Sequence, residues 1–225
     1  MPSDQLSDAP LAILVSGGLD SAILVGETLR TGRKVYPLYV RSGLIWEAVE
    51  LDCLRSYLDA LKGVNLQPLH GLDLPVNDLY PPHWSLTGRN VPDAESADEA
   101  VFLPGRNVLL LAKAMLWCHL RNVPAVALAP LASNPFPDAT PDFFRDYESI
   151  VNRAIGGSVR VLRPYAGLTK REVMRRGQGL PLELTFSCIQ PAGKLHCGRC
   201  NKCAERRRAF STAEMPDPTH YATRS

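Results

Sequence analysis

Short apolar runs along the chain alternate with stretches in which apolar residues recur every three or four positions. That alternation predicts repeated strand–helix units. Leu11 to Val15 (LAILV) reads as a buried first strand ending in Ser16-Gly17-Gly18, and Ala22, Ile23, Val25, Gly26 and Leu29 give the following helix an apolar face that stops at Gly32. Val35 to Val40 is a second strand. Trp46 to Leu61 is a helix whose buried stripe is Val49, Leu51, Leu54, Leu58 and Leu61. Val64 to Leu69 is a weaker third strand, and Ala125 to Ala129 and Val159 to Arg163 are the fourth and fifth. Between them, Asn107 to Leu120 reads as a helix apolar around most of its circumference, as burial against a sheet requires. Thr140-Pro141-Asp142 opens a further helix with a hydroxyl cap, a first-position proline and a first-turn acid. Thr169 to Glu172 is a capping box, and its helix runs to Arg176 and ends at Gly177. Residues 70–105 lack a period and are rich in proline, which predicts a partly ordered insertion of the kind that covers a site. The pattern implies an α/β fold, an open and mostly parallel sheet with helices on both faces.

Composition changes this picture little. The 225 residues are 45% hydrophobic, enough for a real core, and Lys plus Arg (25) nearly balance Asp plus Glu (23) at a net +2, so bulk charge does not point to nucleic acid. The basic residues do crowd locally at Arg199, Lys202, Arg206, Arg207 and Arg208, which reads first as a solvated face and second as a contact for an anionic substrate, ATP or RNA. No run reaches the roughly 18 to 20 apolar residues of a membrane helix, and the acidic start MPSDQLSDAP does not resemble a secretory signal, so the expected compartment is cytoplasmic.

Candidate chemistry sits at the two ends. Ser16-Gly17-Gly18-Leu19-Asp20-Ser21 lies at a strand-to-helix junction, where glycines permit a tight turn and the next helix presents free N–H groups. The result is a nest for phosphate, yet it is neither a Walker loop, lacking Gly-Lys-Ser/Thr, nor a dinucleotide fingerprint, lacking the third glycine. Asp20 suits Mg²⁺ or the orientation of the loop. At the far end Cys188, Cys197, Cys200 and Cys203 offer four soft ligands, for which tetrahedral Zn²⁺ is the first reading and an iron–sulfur cluster the second. Four thiolates close the coordination sphere, so the site reads as structural. His196 beside it is expected to face solvent or a carbonyl, and Cys53 and Cys118 read as core side chains.

The loop SGGLDS resembles the pyrophosphate loop (PP-loop) of the N-type ATP pyrophosphatases, which cleave ATP between its α and β phosphates. Together with Phe102-Leu103-Pro104-Gly105-Arg106-Asn107, Phe136-Pro137-Asp138 and Ser187-Cys188…His196-Cys197-Gly198-x-Cys200-x2-Cys203-x2-Arg206, it makes the chain similar to the 7-cyano-7-deazaguanine (preQ0) synthase family over about residues 11–210. The resemblance implies an ATP pyrophosphatase domain at 1–185, a four-cysteine zinc module at 186–212 packed on it, and a tail at 213–225. It implies ATP held by Ser16, Gly17, Gly18, Leu19, Asp20, Ser21, Arg106 and Asn107, with catalysis by Ser16, Asp20, Ser21, Arg106 and Lys170. Tyr39, Arg41, Trp46, Glu47, Phe136 and Asp138 are the expected substrate contacts, and Asp20 and Asp138 compete for Mg²⁺. The implied reaction converts 7-carboxy-7-deazaguanine to its nitrile with ammonia through an adenylated intermediate. A small-molecule substrate and ammonia are then the partners, with no membrane and no nucleic acid, and a homodimer stays open. The chain departs from the family pattern at 39–47, where a Gln-Arg-His run is replaced, and at 134–140, where Cys-Arg is replaced by Ala139-Thr140. Two rivals follow: a PP-loop ligase adenylating a different carboxylate or modified nucleobase, and a non-catalytic nucleic-acid-binding protein.

Overall fold

In a computed structural model that describes residues 8–80 and 82–223, five parallel strands lie in the order β3-β2-β1-β4-β5. The strands are β1 (Leu11–Leu14), β2 (Val35–Arg41), β3 (His70–Asp73), β4 (Ala125–Ala127) and β5 (Arg160–Leu162). Register runs Leu11 to Val35 on one side of β1 and Leu11 to Ala125 on the other. Because side chains alternate along β1, Leu11, Ile13 and Val15 enter one core and Ala12 and Leu14 the other. The first core is closed by α1 (Leu19–Arg30), α2 (Glu47–Ala60), α6 (Lys170–Arg176) and α7 (Asn201–Thr212), and the second by α4 (Arg106–Leu120) and α5 (Pro141–Ile155). Helices thus cover both faces, and the chain reverses its winding between β1 and β4. In such sheets the crevice beyond the carboxyl ends of those two strands is where ligands bind.

The predicted caps form. Thr140 accepts from Phe143 N–H with Pro141 at the first position, and Thr169 and Glu172 satisfy each other's backbone groups reciprocally. The third strand is displaced from its expected position. Residues 64–69 make only an isolated bridge, Val35 with Leu66, and Val64 is 94% exposed, while the paired strand is the polar His70–Asp73. An edge strand needs little apolar content because its ladder to β2, not its side chains, holds it. The segment 70–105 is also more ordered than its composition suggests. After β3 it forms α3 (Trp84–Thr87) and a 3₁₀ turn (Asp98–Val101). Its Val76, Val101 and Leu103 share a third apolar cluster with Trp46, Phe186 and the four clustered cysteines. Asn201 N–H donates to Pro92 O, and Asp93 bridges Cys200. Residues 221–223 return to the same place, where Ala222 N–H donates to His196 O. Among the described residues, no helix is long and apolar enough to cross a membrane.

Candidate functional site

A cavity of about 370 Å³ opens at the switch point between β1 and β4. Its floor is the loop that follows β1. Gly17 adopts φ +71°, and a Cβ there would stand 2.9 Å from Glu50 Cγ, so only glycine fits on both counts. Ser16 and Ser21 clasp the turn: Ser16 N–H donates to Ser21 Oγ, and Ser21 Oγ–H donates to Gly18 O at 3.2 Å. Gly18 precedes α1 and supplies no side-chain cap, so no side chain of the cap residue takes up the first N–H groups of a helix whose opening residues line the cavity. This is the geometry of a phosphate site.

Ser16, Gly18, Leu19, Asp20, Ser21, Tyr39, Trp46, Arg106, Asn107, Phe136 and Lys170 all line this one cavity. Gly17 lies beneath the loop, against Glu50. Three other expected residues do not line it. Arg41 pairs with Asp73 at 2.6 Å on an exposed edge. The Glu47 carboxylate accepts from the Ser42 and Gly43 N–H groups, closing the turn before α2. Asp138 is buried and accepts from Asn107 N–H at 2.9 Å, while Asn107 Nδ2–H donates back to Asp138 O. Asp138 therefore caps the start of α4 and fixes Arg106 beside it.

Lys170 Nζ lies 2.7 Å from Asp20 and 3.4 Å from Glu205, which also pairs with Lys202 at 2.6 Å. Burial alone would lower the Lys170 ammonium, but Asp20 and Glu205 outweigh it and hold the pKa above its ordinary value. The result is an alternating chain of charges along one wall, Asp20, Lys170, Glu205 and Lys202, all of which line the cavity.

Sequence reasoning passes over several groups in this wall. Glu50 is 6% exposed and accepts from Tyr39 O–H at 2.5 Å. Burial pushes its carboxyl up to about 8 despite the opposing Tyr39 hydrogen bond and Arg106 charge. Its position was readable from phase, because Glu50, Leu54, Tyr57 and Leu58 share the buried face of α2. Trp84 stacks on Trp46 with centroids 5.8 Å apart, and both line the cavity. Arg206 is not on a solvated face; it is 1% exposed and also lines the cavity. Its burial was signalled by the spacing of Cys203, Arg206 and Phe210 on one face of α7.

The four cysteines are all buried, and their sulfurs lie within 4.8 Å of one another. Cys188 and Cys200 are 3.8 Å apart, and Cys197 and Cys203 3.9 Å. Those separations are too long for disulfides. They match the edge, about 3.8 Å, of a tetrahedron of thiolates around one ion at about 2.3 Å. Backbone N–H groups of Gln190, Cys197, Gly198 and Arg199 donate to the sulfurs and favour their charged form. The cluster therefore fits a single closed tetrahedral metal ion. His196, expected to face solvent or a carbonyl, is 6% exposed and accepts from Ser187 N–H through Nε2, with Phe186 against its ring at 4.5 Å.

The model of queuosine biosynthesis protein QueC matches residues 11–214 of this chain. A 7-cyano-7-deazaguanine synthase of Methanothrix thermoacetophila is 30% identical over 223 residues, covering 92% of this chain and 96% of that relative. Another, of Rhizobium leguminosarum bv. trifolii, is 39% identical over 140 residues, covering 58% of this chain and 59% of that relative. The crystal structure of a 4-thiouridine synthetase–RNA complex with bound ATP aligns at a TM-score of 0.48 and 17% identity, covering 91% of this chain and 50% of that one, too distant to bear on function.

Proposed function

This chain belongs to the queuosine biosynthesis protein QueC family, and from that premise we propose that it converts 7-carboxy-7-deazaguanine to 7-cyano-7-deazaguanine with ATP and ammonia. The chemistry is that of an ATP-dependent adenylating ligase. The single observation that carries the reading is the convergence on one cavity of the clasped glycine loop, Lys170, Arg106 and a stacked aromatic pair.

A carboxylate oxygen is a poor leaving group and AMP a good one, so the protein's task is to align the carboxylate with the α phosphate and to neutralise the charge that gathers on departing pyrophosphate. The Ser16 to Ser21 loop and the start of α1 hold that pyrophosphate. Lys170, held between Asp20 and Glu205 on the cavity wall, is within reach of phosphate oxygens, and Asp20 is the residue that would hold Mg²⁺, which would spread the phosphates' charge. Arg106, fixed by the Asn107–Asp138 cap, supplies a forked donor to the carboxylate or to phosphate. Trp46, Trp84 and Phe136 take the flat heterocycle. Ammonia then replaces AMP at the acyl carbon to give the amide. In the second round the amide oxygen takes AMP from a second ATP, and its departure with the loss of the nitrogen's protons leaves the nitrile. Cys188, Cys197, Cys200 and Cys203 would hold Zn²⁺, a closed site that would anchor the C-terminal segment and leave no open position for chemistry.

Purified protein supplied with ATP, Mg²⁺, ammonium and 7-carboxy-7-deazaguanine is expected to yield the nitrile, read by mass spectrometry. ATP–pyrophosphate exchange should depend on that acid. Exchange with another carboxylate and none with this one would overturn the substrate and favour a second reading, a PP-loop ligase for a different planar acid. The Trp46–Trp84 stack, next to the altered run at 39–47, is the observation on that side.

A further inference from the structure

The glycine loop is stitched to the segment that leads into the cysteine cluster. Phe186 N–H donates to Gly17 O at 2.8 Å. Directly after it, Ser187 Oγ stands 3.9 Å from where a Cβ on Gly18 would lie, so this hydroxyl faces the loop across the cavity wall. Ser187 is oriented from behind. Arg206 Nη1–H donates to its oxygen at 3.3 Å and to Thr185 Oγ1 at 2.8 Å, while Nη2–H donates to Leu182 O and Nε–H to Thr219 Oγ1. With that oxygen accepting from a guanidinium, the hydroxyl's own proton is left to donate, and it has no acceptor among the described residues.

The charge balance points the same way. Every partner of Arg206 is neutral, and among the described residues no carboxylate lies within 4.0 Å of it. A guanidinium 1% exposed with no carboxylate in contact carries a desolvation penalty that the more distant Asp217 and Cys203 only partly offset and that an anion in the adjoining cavity would offset further. The other long cations of this wall, Lys170 and Lys202, are already neutralised by Asp20 and Glu205.

We propose that Ser187 and Arg206 form a second wall of the phosphate site, facing the glycine loop. The Ser187 hydroxyl donates to the pyrophosphate that leaves ATP, and Arg206 acts through it as a positioning residue and a source of positive potential. The proposal rests on the ATP pyrophosphatase reading above. It also explains why the cysteine cluster adjoins the cavity: Ser187 precedes Cys188, and Arg206 lies one helical turn beyond Cys203, so both arms of the cluster deliver a group to the same anion.

The test is equilibrium binding of magnesium pyrophosphate, and separately of adenosine, to the full-length, metal-loaded chain and to its Ser187→Ala and Arg206→Lys variants. Melting temperature and metal content are recorded alongside. Loss of a hydrogen bond to a charged group weakens binding by about tenfold to a hundredfold. Ser187→Ala should therefore weaken pyrophosphate to that extent with adenosine affinity, melting and metal content unchanged, and Arg206→Lys, which keeps the charge but loses the fork, should weaken it in the same ligand-selective way. Wild-type pyrophosphate affinity in Ser187→Ala would overturn the proposal while leaving the ATP reading intact. So would a parallel loss of adenosine affinity, the mark of a merely structural role. If the unaltered chain binds neither pyrophosphate nor ATP, the reading beneath the proposal fails, and the proposal with it.

Discussion

Replacing Glu50 by Gln should make the protein more stable at alkaline pH and leave it nearly unchanged in acid. The folded carboxyl titrates at about 8 against 4.5 for a free glutamate, chiefly because it is buried under the Gly17 turn. Between those values the unfolded chain releases the proton that the folded chain keeps. The stabilising effect of the neutral carboxyl is complete below the lower value and lost as pH climbs to the upper one. Each unit is worth about 1.4 kcal/mol, so the loss reaches at most about 5 kcal/mol. Glutamine preserves the shape and an oxygen for Tyr39 but cannot ionise. Urea unfolding of both chains from pH 6 to 8.5, with metal content constant, isolates the effect, since the pH dependence of the cysteine site cancels in the difference. The variant's advantage should grow by roughly 1 kcal/mol per unit up to about pH 8 and then level off. A difference that stays flat, or that favours the wild type increasingly as pH rises, would show that the carboxyl is ionised at neutrality and that the burial argument is wrong.

Other perturbations separate the parts of the site. Gly17→Ala should cost about 2–3 kcal/mol, since it combines a positive φ with the clash against Glu50, whereas Gly32→Ala, with φ +79° but open space around its Cβ, should cost only about 1; chemical denaturation of the two distinguishes strain from collision. Lys170→Gln should slow AMP formation at least about a hundredfold while leaving the melting of the metal-loaded protein within a few degrees, if the proposed role of its charge at the departing phosphates holds. Cys200→Ser should lower metal content and stability together, and pyrophosphate affinity with them, since α7 carries Lys202, Glu205 and Arg206 into the cavity; metal analysis alongside calorimetry reads both, and normal values of each would reject the closed tetrahedral site.

What the sequence made legible was local. The loop after β1 and the cysteine spacing declare themselves because each is a few residues whose types permit one kind of chemistry. The caps at Thr140 and Thr169 declare themselves for the same reason. The strand His70–Asp73 stayed hidden because an edge strand half open to solvent carries no apolar run, while the more apolar Val64–Leu69 beside it forms only a bridge. The order in residues 74–105 depends on partners a hundred positions away, such as Pro92 with Asn201 and Asp98 with Arg208, which no local period encodes. The resemblance points to Glu47, but Glu47 closes a turn, and helical phase puts Glu50, which the resemblance does not name, into the cavity. At Arg206 the first reading of the basic run, a solvated face, does not hold, because this member turns inward with Cys203.

The bond broken in ATP is the decisive observable. Phosphorus NMR of a complete reaction mixture, with magnesium, ammonium and 7-carboxy-7-deazaguanine present, reads that bond directly. Signals of AMP and pyrophosphate growing in equal amounts are the expected result, and their loss in Ser16→Ala would tie them to the loop. Accumulation of ADP and orthophosphate instead would mean that the nest after the first strand does not hold a departing pyrophosphate.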